Sequence, residues 1–116
     1  MGALDGLPVV ALAGGLRVHE ARSPGVRLRG LMGAARLPPG SALRLAPCRS
    51  VHTFGMRFAI DLVWIDEAGA VTRVDRGVGA RRARACRRAR SVLETNAGEG
   101  QAFANALRPA GYTFAC

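Results

Sequence analysis

Eight short apolar or alternating runs, set apart by Gly, Pro and Asp, constrain this chain more than any other feature. They are Val9 to Leu12, Leu16 to Ala21, Ala42 to Ala46, Val51 to Phe58, Ile60 to Ile65, Val71 to Val74, Val92 to Thr95 and Tyr112 to Ala115. Runs of this length with turn residues between them are strands, and their cadence leaves no room for repeated βαβ units. It predicts a mainly β, compact antiparallel sandwich or barrel-like domain with one or two short helices. Residues 23–33, opening on Ser23-Pro24 and closing at Gly33, suit one short helix. Gly98 to Leu107 suits another, with Phe103, Ala106 and Leu107 at helical spacing before Pro109 stops the run. The clearest hairpin is Leu62 to Val74, with a short turn at Asp66 to Gly69.

A chain of 116 residues is long enough to bury one core, so residues 1–116 are expected to form a single domain. Apolar residues make up 49% and charged residues 22%, a globular composition. Cysteines at 48, 86 and 116, an odd number, do not form a secreted disulfide framework, and a cytoplasmic location fits best. The run Leu7 to Ala13 is interrupted by Pro8 and follows Asp5 instead of basic residues, so it is taken as a first strand and not a leader. No stretch approaches the roughly 20 apolar residues of a membrane span.

Taking residues 46–64 as one extended strand puts Cys48, Ser50, His52, Phe54, Met56, Phe58, Ile60, Leu62 and Trp64 on one face. That face runs from polar to apolar, as a core strand does where it enters a cleft mouth, and Gly55 is a candidate bulge. The expected site is a pocket near His52 in which Ser50, His52, Arg49 and Arg57 orient a small polar or anionic ligand over Phe54. No cofactor or resident metal is expected. A hydrolase or metal-dependent enzyme using His52 with Asp61, Cys48 or Cys86 is the alternative. On a strand Cys48 and His52 stand about 13 Å apart, so such a centre has to be assembled across strands. The commoner roles are structural: a hydrogen-bonded histidine, small buried cysteines, and core aromatic residues.

Three stretches, taken together, resemble one known family. Arg29-Gly30-Leu31-Met32, then His52-Thr53-Phe54-Gly55-Met56-Arg57-Phe58-Ala59-Ile60-Asp61 continuing to Asp66, then Ser91-Val92-Leu93-Glu94 with Ala97-Gly98, are similar in order and kind to the bacterial and archaeal family called domain of unknown function 192. The resemblance runs from about residue 9 to residue 112. It implies a compact β-rich domain with one or two short helices and supplies no reaction. The matching positions Gly30, Leu31, Met32, Met56, Asp61, Glu94 and Gly98 look like a shared framework. Ala59, where the family commonly has proline, Thr95-Asn96 in place of Leu-Pro, and Tyr112 in place of an acidic residue are departures.

The net charge of +9 comes from 17 basic residues, all arginine, against 8 acids. The absence of lysine, with 15 glycines, points to a GC-rich coding bias that weakens any argument from arginine's forked geometry. Six arginines, Arg81, Arg82, Arg84, Arg87, Arg88 and Arg90, lie within ten residues; without them the chain holds eleven arginines against eight acids, or +3. If this basic patch is extended, Arg82, Arg84, Cys86, Arg88 and Arg90 share one face while Arg81, Arg87 and the alanines share the other. Neither face is apolar, so the run is expected to face solvent. Binding of nucleic acid or an acidic partner through it ranks last, because the run has no interleaved aromatic residues and no known nucleic-acid motif.

Overall fold

The computed structural model describes residue 4, residues 6–21 and residues 36–110. Its strands are β1 (Val9–Ala11), β2 (Arg17–Ala21), β3 (Ser41–Leu45), β4 (Ser50–His52), β5 (Ile60–Ile65), β6 (Val71–Val78), β7 (Ala83–Ala85) and β8 (Ser91–Asn96), followed by the helix α1 (Gly100–Ala110). Six strands form one sheet in the order β1-β2-β3-β8-β5-β6, and β4 pairs with β7 in a separate two-stranded ribbon. All pairings are antiparallel except β2 with β3. A parallel pair cannot be joined by a tight turn, and residues 22–40 separate β2 from β3 in sequence. The helix expected at 23–33 and the strand expected at Tyr112 to Ala115 lie outside the described residues.

The central strands explain the layering. Every residue of β5 and β8 is buried, as in a sheet covered on both faces. Alternation sorts their side chains into two cores. Ile60, Leu62, Trp64 and Val92 join Leu43, Leu45, Val51, Met56, Cys86 and Ala89 on the ribbon side. Val63, Ile65 and Leu93 join Val18, Ala42, Phe103, Ala104 and Leu107 on the helix side. The architecture is therefore helix, sheet and ribbon in three layers, mainly β as expected.

The expected single strand over 46–64 is not formed. The chain pairs as β4 only from Ser50 to His52, turns at Thr53 to Met56 with Met56 N–H donating to the Thr53 carbonyl at 3.2 Å, and resumes as β5 at Ile60. Gly55 has φ of 83°, a left-handed conformation that costs glycine nothing and breaks the pleat. The polar-to-apolar face is thus divided: Met56 is buried in the ribbon-side core, whereas Phe54 stands 54% exposed and is no pocket floor. Within β5 alone the parity holds, with even residues toward the ribbon and odd ones toward the helix.

The β5–β6 hairpin forms as expected. Asp66 Oδ1 accepts the Ala68 and Ala70 N–H groups, both at 2.9 Å, and closes the turn. β6 runs to Val78, four residues beyond the expected strand, because Asp75, Arg76 and Gly77 carry no apolar signal. Its register against β5 shifts by one residue between Asp75 and Val78, a bulge that turns the Gly77 N–H toward Asp61.

Candidate functional site

The ribbon is held by backbone bonds along its length. Cys48 N–H donates to the Arg90 carbonyl, Cys86 N–H to the Arg49 carbonyl, and Thr53 N–H to the Arg82 carbonyl, at 2.8 to 2.9 Å. Between them Ser50 pairs with Ala85, Val51 with Arg84, and His52 with Ala83. Cross-strand partners share a face. Val51 points into the core, so Ser50, His52, Ala83 and Ala85 form the outer face. Two alanines beside a serine and a histidine leave a trough, and an open depression of about 280 Å³ is lined by Ser50, Val51, His52, Ala83, Arg84 and Ala85.

Thr53 anchors one end. Its buried hydroxyl donates to the Gly79 carbonyl at 2.6 Å and accepts the Arg82 N–H at 2.8 Å. This ties the turn that contains Arg81, whose φ of 58° is a left-handed conformation for a non-glycine residue. Both side chains flanking Thr53 are exposed, and the His52 and Phe54 rings lie 5.7 Å apart at 51°. A second tie comes from β6: Arg73 donates to the Ala85 carbonyl at 2.6 Å while its guanidinium pairs with Asp75 and lies over the Trp64 ring.

The residues expected to make the pocket are brought together only in part. Ser50 and His52 line the depression. Arg49, Arg57 and Phe54 are exposed nearby but outside its lining, and Arg49 Nε is spent on the Ala89 carbonyl at 3.2 Å. Arg84, expected in the basic stripe, borders the depression together with its partner Val51, shares Val51's face of the ribbon, and donates from Nη1 to the Ala83 carbonyl at 2.8 Å. Arg81, Arg82, Arg87 and Arg88 are exposed, in the turns either side of β7, and Arg90 is half-buried. The expected parity of the arginine run holds across Ala83 to Ala85.

Asp61 is fully occupied elsewhere. Its Oδ1 accepts Gly77 N–H at 2.8 Å, and its Oδ2 accepts Gly98 and Gly100 N–H at 3.0 and 2.9 Å. The carboxylate thus caps α1 and holds the β6 bulge, where the charge and the helix dipole reinforce each other. A Cβ on residue 100 would lie 2.7 Å from Asp61 Cβ, so only glycine fits there. Cys48 and Cys86 are free thiols. Burial pushes the Cys48 thiol above its ordinary range, which leaves little thiolate for nucleophilic attack. Cys86 is buried with its sulfur 3.5 Å from Thr72 Oγ1. Among the described residues, no three His, Cys, Asp or Glu side chains gather as a metal site would require.

Glu94 is the titratable group that sequence reasoning placed only in a framework. It pairs with Leu43 and Leu62 in register, faces the ribbon-side core, and is 3% exposed with Oε1 unpartnered. Burial raises its pKa from 4.5 to about 7. The signal for it in sequence was a lone acid inside an apolar run, Val92-Leu93-Glu94.

These features define a class: a three-layer β-rich domain with a helix on one face of its sheet and a basic ribbon on the other. The family model for domain of unknown function 192, described as an uncharacterized ACR, matches residues 10–105, and the chain belongs to that family. A protein from Sinorhizobium meliloti 1021, described as a "putative transcription regulator", shares the fold at a TM-score of 0.67 with 20% identity, covering 82% of each chain. A protein of unknown function from Novosphingobium aromaticivorans DSM 12444 shares it at a TM-score of 0.66 with 13% identity, over 88% of this chain and 90% of that one. At these identities the likeness concerns the fold alone. No curated protein matches the chain. No helix of the described residues is long and apolar enough to cross a membrane.

Proposed function

We propose that the chain is a non-catalytic binding domain of the reducing cytoplasm, and that the trough on the β4–β7 ribbon takes a small polar or anionic group. The carrying observation is the outer ribbon face, where Ser50 and His52 stand opposite Ala83 and Ala85 with Arg84 at the edge of the depression. A hydroxyl and an imidazole beside a shallow space can donate to an oxyanion, while the alanines make room for it. The hydrolase reading draws less support, because the Asp61 carboxylate is committed to three backbone amides and the Cys48 thiol is held protonated by burial.

Thermal shift with inorganic phosphate, sulfate, carboxylates and nucleotides tests the proposal on three proteins: wild type, His52→Ala, and Ala83→Leu, which fills the trough. Stabilisation of the wild type by an anion, reduced in both variants, is the expected result. A ligand that stabilises all three equally binds elsewhere and refutes the site.

A further inference from the structure

Residues 46–59 and 79–92, the two segments that contain β4 and β7, hold eight arginines and no aspartate or glutamate. The rest of the chain holds nine arginines against eight acids, a net of +1, so this lobe carries nearly all of the +9. A coding bias toward arginine acts on every segment alike and does not sort the acids out of one lobe. Six of the eight, Arg49, Arg57, Arg81, Arg82, Arg87 and Arg88, are exposed, and the last four bracket β7 and its trough. The ion pairs Arg44–Glu20 and Arg73–Asp75 lie outside both segments.

The same lobe presents aromatic rings. Phe54 is 54% exposed beside the exposed His52, and the buried Thr53 between them bonds directly to the turn of Arg81 and Arg82. No aromatic residue lies within residues 81–90, which is why the run alone carries no stacking platform; the turn that follows β4 brings one to it. An exposed phenylalanine costs hydration free energy that solvated arginines do not offset.

Resting on the trough as the binding site, the geometry points to single-stranded nucleic acid as the partner of this lobe, with phosphates met by Arg81, Arg82, Arg87 and Arg88 and one unpaired base stacked on Phe54. A positive surface that follows a backbone, together with an aromatic face for a base, is what single-strand binding requires. A duplex keeps its base faces stacked inside, and an acidic peptide offers charge but no ring, so both leave Phe54 without a role. The trough receives the sugar and phosphate beside the stacked base, and the alanines of β7 allow the close approach.

Fluorescence anisotropy with a labelled oligothymidylate of about 12 nucleotides, a duplex of equal length and polyglutamate, each over a salt series, tests the inference. The single strand binds most tightly at matched salt, with log affinity falling by about 0.7 per engaged arginine for each tenfold rise in salt. Replacing Arg81, Arg82, Arg87 and Arg88 by glutamine lowers that slope by about 3. Phe54→Ala weakens binding about tenfold and leaves the slope unchanged. Equal binding of duplex or polyglutamate, with Phe54→Ala silent, means charge adhesion alone and overturns the inference, as does failure of the oligonucleotide to bind at low salt. Amide NMR separates this from the underlying proposal. If inorganic phosphate still shifts Ser50 to His52 and Ala83 to Ala85, the trough stands and only the partner falls; if neither probe shifts them, both fall.

Discussion

Replacing Glu94 by glutamine should change how stability depends on pH. The carboxyl titrates near 4.5 in the unfolded chain and at about 7 in the folded one, because burial among Leu43, Leu62 and Val92 penalises its charge. The folded value is raised, so the folded state holds its proton more tightly. Stability from this group is fully present below about pH 4.5, falls as the pH rises, and levels off above about 7. One pKa unit corresponds to about 1.4 kcal/mol, so the whole loss is about 3 kcal/mol. His19 acts in the opposite sense: burial and the nearby Arg17 charge lower its pKa, so its contribution grows as the pH rises toward its unfolded value of 6.5 and is level above it. Subtracting the Glu94→Gln curve from the wild-type curve removes the His19 contribution, since both proteins share it. Urea unfolding at closely spaced pH values between about 4 and 8 measures the difference. Relative to wild type, the glutamine variant gains about 3 kcal/mol across that range. Parallel curves would refute the assignment of a dry carboxyl, with Oε1 unpartnered, to the ribbon-side core.

Gly100→Ala places a Cβ 2.7 Å from Asp61 Cβ and 3.0 Å from its Oδ2, and should destabilise by about 1–3 kcal/mol in chemical denaturation. Thr53→Val removes the hydroxyl that serves Gly79 and Arg82 while keeping the volume, and should cost about 1–3 kcal/mol. Arg81→Gly relieves the left-handed φ of 58° and should stabilise by about 1 kcal/mol, read as a raised melting temperature.

What the sequence made legible depended on how local the determinant was. β5 was readable to the residue, because six consecutive apolar or framework positions, Ile60 to Ile65, lie between a polar bend and an Asp-Gly turn. The three-layer arrangement was not, since burial of both faces erases the alternation that tells inside from outside. The site was half visible. Ser50 and His52 were found by their chemistry, but Phe54, expected as the floor of the pocket, stands exposed instead, because Gly55 breaks a strand that the residue types alone would continue. Arg84 and the alanines of β7 acquired meaning only through pairing with β4, a contact across about thirty residues of chain. The role of Asp61 was hidden for the same reason: its partners are backbone amides at positions 77, 98 and 100, and backbone donors leave no mark in composition.

The three amide bonds to Asp61 join the β6 bulge to the first turn of α1 through one buried carboxylate. Fraying the first turn of α1 would strand Oδ2 and straightening the kink in β6 would strand Oδ1 of the same buried carboxylate, so neither can open cheaply while the other stays shut. The two regions should therefore breathe as one unit. Hydrogen exchange at Gly77 and Gly100 would then show matched protection and matched sensitivity to denaturant, although one amide belongs to a sheet edge and the other to a helix start.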